Sequence, residues 1–250
     1  NRKGLKPGEA RCDADDVQEI LDRDTRPVPE VLREQNYTYV GSDDISADRY
    51  YTQEWHNLEV EHVWKKAWQM ACREEEIPEV GDHMIYDIAD LSLIVTRTGP
   101  NEIKAYHNFC LHRARKLRTE DGSSEQFRCP YHGWTWNIDG SIKEIPCQWD
   151  FPHINEENSS LIEAKTGTWG GFVFVNMDND CEPLEDYLGD LVQHFERWKF
   201  EDCYKAIHVK KRMNANWKIC AEAFIESYHV IETHPQIMPH TADANTQYDN

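Results

Sequence analysis

The spacing of apolar residues along the chain changes from a helical period to a strand period and back. Between Tyr50 and Met70 apolar positions recur at threes and fours, which predicts one amphipathic helix. Short runs of β-branched and aromatic residues follow, and they predict strands at 83–88, 91–97, 102–109, 127–138, 141–145 and 168–178. After Pro183 the helical period returns.

Turn residues separate these runs and complete the domain prediction. Asp139-Gly140 stands between two strand-like runs and predicts a two-residue hairpin turn. We therefore expect an all-β unit over residues 68–175, preceded by an arm and a helix over 1–67 and followed by a second domain over 176–250. The predicted fold class is α+β.

The second domain carries a predicted strand at 204–213, followed by a helical pattern within 216–235. On that helix Glu226 and His229 lie on one polar stripe, whereas His234 would lie about 140° further round if the helix continued unbroken. Because the residue before a proline avoids the α region, Pro235 should end the helix near Thr233. The chain can then turn and bring His234 back towards His229.

Composition limits the classes of partner and compartment. The chain has 250 residues, of which 39% are hydrophobic and 29% charged, as in soluble globular proteins. A net charge of -19 argues against a nucleic acid or an anionic membrane as partner. No apolar run is long enough for a membrane span and the start does not resemble a signal peptide, so we expect a cytoplasmic protein.

Two cysteines and two histidines form the clearest candidate site. Cys110-x-His112 is followed after sixteen residues by Cys129-x-x-His132. Thiolate and imidazole ligands suit either a zinc ion or an iron–sulfur cluster. Zinc fingers group their cysteines and their histidines separately, whereas each loop here supplies one of each, as in a [2Fe–2S] centre in which two histidines replace two cysteines. A structural zinc site remains the alternative.

This spacing, together with the Gly133-Trp134 that follows His132, resembles a Rieske motif. Respiratory Rieske proteins carry an extra cysteine in each loop, and this chain has none there, so the resemblance is to the oxygenase and ferredoxin branch. One residue departs from the oxygenase pattern. Ala114 stands where those proteins commonly have glycine, and alanine would be strained if the loop needs a positive φ.

The later segment resembles the α subunit of Rieske non-haem iron ring-hydroxylating oxygenases, through Asn216-Trp217-Lys218, Glu226, His229 and His234. The resemblance implies that His229 and His234 hold a mononuclear Fe(II) in a helix-grip catalytic domain, of which this chain has the first part. It also implies that Glu226 couples the iron to a cluster-ligating histidine of a neighbouring subunit. The third ligand is expected beyond residue 250, since Asp243 and Asp249 are not at the family's position.

The function implied is that of a terminal oxygenase, which uses O₂ and electrons from a reductase or ferredoxin to hydroxylate or demethylate a small organic compound, aromatic or similar. A homotrimer or an α3β3 assembly is expected. The alternative from another class is a Rieske-type electron carrier without a catalytic iron. A cluster of cations beside Cys110 suggests a docking patch for the electron donor; its members are Arg113, Arg115, Lys116 and Arg118.

Overall fold

A computed structural model of the chain describes residues 17–33, 43–155, 157–226, 229–234 and 236–237. The chain divides into two units. The first, which we call the β unit, is His56–Val209. The second, the terminal unit, consists of the described residues of Asn1–Trp55 and Lys210–Asn250. In the described residues no helix is long and apolar enough to cross a membrane.

Antiparallel strands make up most of the β unit. They are β1 (Gln69–Arg73), β2 (Asp82–Ile88), β3 (Leu91–Gly99), β4 (Glu102–His107), β5 (Gly122–Ser123), β6 (Gln126–Arg128), β7 (Thr135–Asn137), β8 (Ile142–Glu144), β9 (Glu163–Trp169) and β10 (Phe172–Asn176). Seven of them form one sheet in the order β1-β10-β9-β4-β3-β2-β5, and β6-β7-β8 form a second sheet. The mixture of antiparallel sheet and helix confirms the predicted α+β class.

The described helices are short. They are α1 (Val17–Asp22), α2 (Asp48–Tyr51), α3 (Gln53–Glu59), α4 (Leu184–Leu188), α5 (Asp190–His194), α6 (Trp217–Glu222) and α7 (Val230–Thr233). The predicted helix over 50–70 is wrong in its continuity, because Thr52 is extended between α2 and α3. A π turn over Val60–Trp64 then ends the helical stretch before β1 begins.

Strand β3 is buried on both faces, which explains its nearly continuous apolar sequence. Leu93 and Val95 belong to one hydrophobic core, together with Val173 of β10. Ile94 points the other way because side chains alternate along a strand, and it belongs to a second core that includes Cys110 and Cys129. The candidate ligand loops are therefore built on a packed core.

Two of the predicted strands are hairpins. The run 127–138 contains β6 and β7 with the second candidate ligand loop between them. The run 168–178 contains the end of β9 and all of β10, because Gly170 and Gly171 both have positive φ. Two such residues form the primed turn that reverses a strand, and this signal was missed. The strands predicted near 83–88, 91–97 and 102–109 are confirmed. A turn does lie at Asp139-Gly140, but it is not the predicted two-residue type, because the N–H of Asn137 donates to the carbonyl of Ser141 and only Gly140 has a positive φ.

The predictions for the C-terminal third are only partly confirmed. The segment 204–213 pairs with no strand in the described part of the chain, and Ile207 is 80% exposed. The helix predicted from 216 to near Thr233 is broken into α6 and α7. After Glu222 the chain tightens into hydrogen bonds between residues three apart, and Phe224 is 90% exposed. Short helices depend on packing of their apolar face, so this amphipathic pattern alone does not sustain one helix.

The turn between β7 and β8 tests how tightly the core beneath the ligand loops is packed. Gly140 has φ +86°, and a Cβ added there would lie 2.6 Å from Cε1 of Tyr106, which is fully buried. We expect Gly140→Ala to lower the free energy of unfolding by about 2–4 kcal/mol, from backbone strain plus overpacking. Urea unfolding would measure it. Tyr106→Leu supplies the control background, because without the ring Gly140→Ala should cost less, and an equal loss in both backgrounds would contradict the overpacking.

Candidate functional site

The first ligand loop follows β4 and is closed by two backbone hydrogen bonds. The N–H of Cys110 donates to the carbonyl of Arg115 (2.8 Å), and the N–H of Ala114 donates to the carbonyl of Cys110 (2.8 Å). Ala114 has φ 56°, in the left-handed region. The positive φ anticipated for this loop is therefore present, and it is occupied by alanine.

The second ligand loop, between β6 and β7, repeats this arrangement. The N–H of Cys129 donates to the carbonyl of Trp134 (2.8 Å), and the N–H of Gly133 donates to the carbonyl of Cys129 (3.0 Å). Gly133 has φ 80° and thus takes the place that Ala114 holds in the first loop. Each loop is a tight turn that starts at its cysteine and presents a histidine from its tip.

The equivalence of Ala114 and Gly133 predicts that the first loop is strained. A left-handed alanine costs about 1–2 kcal/mol, part of which glycine would lose again through its greater freedom in the unfolded chain. We expect Ala114→Gly to raise the free energy of unfolding by about 0.5–1 kcal/mol. Urea unfolding at equal cluster content would measure it. Ala105→Gly, in the middle of β4, should have the opposite sign, and a loss of stability in both variants would contradict the strain.

The two cysteine thiols lie beneath the loops and beside each other. Cys110 is 3% exposed and Cys129 is 2% exposed. Burial raises the pKa of the Cys110 thiol, and a hydrogen bond between the two thiols adds to the rise. A thiol with a raised pKa, such as that of Cys110, is inert until a metal displaces its proton, because a coordinating thiol is deprotonated outright. The pair is therefore suited to bind a soft metal.

The two histidines lie together above this core. The imidazole rings of His112 and His132 have centroids 4.7 Å apart. His112 is stacked on the indole of Trp134, at 5.1 Å and with an angle of 8° between the planes, and the edge of Phe151 contacts it. Burial lowers the pKa of His112, so the ring is kept neutral, as a metal ligand must be.

One atom indicates where a ligand would bind. Nδ1 of His112 is buried and has no hydrogen-bond partner among the described residues. A buried unsatisfied nitrogen costs free energy unless something binds it. The free Nδ1 of His112 lies next to a second imidazole and to a pair of thiols. This set of donors fits a [2Fe–2S] cluster in which two cysteines bind one iron and two histidines bind the other.

Asn108 joins the end of the first loop to the sheet, a role that no pattern in the sequence indicates. Its side-chain oxygen accepts the N–H groups of Leu117 (3.1 Å) and Arg118 (3.0 Å). Its side-chain NH₂ donates to the carbonyl of Arg118 (2.7 Å) and to Ser92 Oγ (3.0 Å). All four hydrogen bonds of this buried amide are made, which fixes the loop firmly on β3.

The four cations beside Cys110, from which a docking patch is predicted, do not share one role. Arg113 and Arg115 are exposed. Lys116 Nζ instead forms an ion pair with Asp87 (2.9 Å). The guanidinium of Arg118 turns inward and donates to backbone carbonyls of β6, so it is part of the framework. The spacing of these residues predicts one surface because it does not show where each long side chain points.

The second candidate site lies in the terminal unit, where α7 separates the two histidines predicted to bind the mononuclear iron. His229 is at the start of α7, and His234 follows its last residue, Thr233, with φ −128°, outside the helical region. Their ring centroids are 5.5 Å apart. The helix end near Thr233 is confirmed, and the rings come close as that prediction required.

Glu226 contacts His229 directly. Its Oε1 lies within hydrogen-bonding distance of Nδ1 of His229, and its Oε2 accepts the backbone N–H of the same residue (3.1 Å). An ionised carboxylate only accepts, so in the neutral ring this contact favours the tautomer with the proton on Nδ1 and the lone pair on Nε2. Metal-binding histidines commonly donate their other N–H to a carboxylate in this way. The geometry suits Nε2 of His229 as a metal ligand.

Other residues around this second site hold the local structure. Asn216 is the N-cap of α6, since its side chain accepts the N–H of Lys218 (2.9 Å) and donates to the carbonyl of Tyr50 (3.0 Å). The hydroxyl of Tyr50 donates to Glu222 (2.9 Å). No set of three or more His, Cys, Asp or Glu side chains within the described ranges is arranged around one metal position. Asp243 and Asp249 lie outside the described residues.

Comparison with sequence families gives two matches along the chain. Residues 67–155 match the Rieske [2Fe-2S] domain, and residues 190–249 match the catalytic domain of the ring hydroxylating alpha subunit. The first match contains both ligand loops. The second contains Glu226, His229 and His234.

Individual relatives agree with these matches. Choline monooxygenase from Spinacia oleracea is 30% identical over 182 residues, which are 70% of this chain and 42% of that protein. The large subunit of anthranilate 1,2-dioxygenase from Acinetobacter baylyi is 30% identical over 198 residues, 76% of this chain and 42% of that protein. This chain thus spans less than half the length of these relatives.

Solved structures give the same result. A quaternary ammonium Rieske monooxygenase in complex with its substrate L-carnitine has a TM-score of 0.71 at 25% identity, covering 78% of this chain and 56% of that one. Naphthalene 1,2-dioxygenase from Rhodococcus has a TM-score of 0.66 at 31% identity, covering 77% and 47%. The two matched domain types imply a Rieske cluster and a mononuclear iron. The chain belongs to the family of Rieske oxygenase α subunits.

Proposed function

We propose that this chain is part of the terminal oxygenase of a multicomponent Rieske oxygenase. The observation that carries the proposal is the second site, where Glu226 orients His229 beside His234. A Rieske-type electron carrier, the alternative function, has no use for a second pair of histidines with a carboxylate behind one of them. The same chain also carries the two matched loops of the first site.

Four side chains are assigned to the cluster and two to the mononuclear iron. Cys110 and Cys129 would hold one iron of the cluster, and His112 and His132 the other. Nε2 of His229 and the ring of His234 would hold the Fe(II), which when bound supplies the activation of O₂. Glu226 keeps Nδ1 of His229 protonated and so presents the other nitrogen to the metal.

A neighbouring subunit extends this proposal. We expect Glu226 also to reach a cluster-ligating histidine of a second copy, within a homotrimer or an α3β3 assembly. Within one chain both carboxylate oxygens of Glu226 contact His229, so an intermolecular contact would have to share one of them.

A reductase or ferredoxin is the proposed electron donor, and the exposed Arg113 and Arg115 remain candidates for its docking. The domain limits at 67/68 and 175/176 and a cytoplasmic location stay predictions.

We propose a small quaternary ammonium compound as the substrate class. Support comes from the named relatives, which include choline, carnitine and glycine betaine monooxygenases. Glu226 adds support. The family usually has an aspartate at this position, and the minority with a glutamate includes members that oxidise quaternary ammonium compounds. An aromatic substrate is the second candidate, since anthranilate and naphthalene dioxygenases are also among the relatives.

Iron counting with EPR separates the functions. Anaerobically prepared full-length protein should contain about three Fe per subunit for the oxygenase, about two for an electron carrier and none for a zinc protein. Two Fe with a normal cluster signal would contradict the oxygenase.

To test the substrate class, O₂ uptake with a matched reductase would be compared for choline, carnitine and betaine against benzoate and anthranilate. Uptake with the aromatic acids alone would reject the quaternary ammonium assignment.

A further inference from the structure

Arg118 links the two ligand loops, although it belongs to neither cysteine–histidine pair. It follows the first loop, and its backbone is held by Asn108. Its guanidinium donates to the carbonyl of Gln126 (2.7 Å) and approaches that of Arg128 (3.4 Å), the residue before Cys129. The side chain therefore spans from the end of one loop to the start of the other.

The charge on this side chain forms no ion pair within the described part of the chain. The remaining contacts of the guanidinium are the carbonyl of Leu117 (2.9 Å), Ser124 Oγ (3.3 Å) and the face of Phe127 (5.3 Å to the centroid). Among the described residues no carboxylate pairs with Arg118. Half-burial lowers its pKa, but guanidinium remains charged in proteins. A partly buried cation is thus bound only by neutral groups, which is costly unless a negative charge forms nearby.

A Rieske cluster develops such a charge when it takes up one electron. We propose that Arg118 raises the reduction potential of the [2Fe–2S] cluster by holding an uncompensated positive charge between the two ligand loops. A nearby cation stabilises the reduced, more negative form, and the effect is strong where water is partly excluded. Arg118 is thus a positioning residue whose charge also favours acceptance of the electron. This inference rests on the proposed cluster ligands.

Three variants at Arg118 and Arg113 test the charge. A redox titration of cluster-loaded protein would compare Arg118→Gln, which removes the charge, with Arg118→Lys, which keeps it. In the glutamine variant the ratio of reduced to oxidised cluster at a fixed potential should fall about tenfold, which is about 59 mV for one electron. The lysine variant should stay close to the unaltered protein. Arg113 is exposed beside His112, so the shift in Arg113→Gln should disappear at high salt, whereas the shift in Arg118→Gln should persist.

A second pair of variants leaves Arg118 in place. Ser124→Asp would put a carboxylate beside the guanidinium, and it should lower the potential as the loss of the charge does. Ser124→Asn is the neutral control and should not. This pair tests the effect of the Arg118 charge on the reduction potential even if Arg118→Gln does not bind a cluster. The proposal is overturned if Arg118→Gln carries a cluster of unchanged potential, or if both Ser124 variants shift it equally. Failure of the ligand assignment would look different, because the unaltered protein would then hold no such cluster.

Discussion

Cys129→Ser is expected to abolish the iron–sulfur cluster, with loss of its visible absorption and EPR signal and of about two Fe per chain. Cys129 is 2% exposed and its thiol lies against that of Cys110, so no other sulfur can take its place without moving the core. A serine hydroxyl is a harder and less acidic ligand than a thiol and binds such iron poorly. Iron analysis and spectra of the anaerobically reconstituted protein would measure the change.

Cys147→Ser is the matched control for this substitution. Cys147 is an exposed free cysteine with no place in either ligand loop, so this variant should keep its full cluster signal. Retention of the cluster in Cys129→Ser would reject the assignment of the first site. Loss of the cluster in both variants to the same degree would also count against it, since the effect would then not be specific to the buried thiol pair.

His229→Ala is expected to remove the mononuclear iron and oxygenase turnover while the cluster spectrum stays unchanged. The reason is that a carboxylate, that of Glu226, lies behind the ring of His229 and orients the nitrogen offered to the metal. The measurement is the EPR signal of the nitric oxide adduct of Fe(II), in the full-length protein. The exposed His208 provides the control, and His208→Ala should bind iron normally.

Glu226→Gln gives a graded version of the same test. An amide can still accept from Nδ1 of His229 but carries no charge, so we expect iron affinity to fall by roughly 10–100-fold, as is usual for outer partners of metal ligands. A loss as complete as in His229→Ala would indicate that Glu226 itself binds the metal. Normal iron binding with slow electron transfer from the cluster would instead favour the bridge to a neighbouring subunit.

The candidate ligands could be found from the sequence because metal chemistry restricts both residue type and spacing. The two loops are short, so Cys110-x-His112 and Cys129-x-x-His132 specify their own local geometry, down to the positive φ at Ala114. The approach of His234 to His229 was likewise predictable, since Pro235 limits how far the helix can extend.

Features that depend on distant partners were not predictable. The role of Arg118 is set by carbonyl groups of β6, and that of Asn108 by Ser92 of β3, and neither contact leaves a pattern in the sequence. Periodicity also failed where packing decides. The amphipathic pattern over 216–235 continues through the break after Glu222, and the strand-like pattern over 204–213 has no partner strand within the described part of the chain.

Strand β3 protects the first ligand site from local unfolding, which the ligands alone would not do. Because Ile94 packs under the ligand loops while Leu93 and Val95 pack on the opposite side, the two cores share one backbone. They cannot melt separately, and the amide protons of β3 should exchange with solvent only through global opening of the β unit. The cluster would then lie in the part of the β unit that opens most slowly. The positions of the ligands, and hence the reorganisation energy of electron uptake, would stay nearly constant.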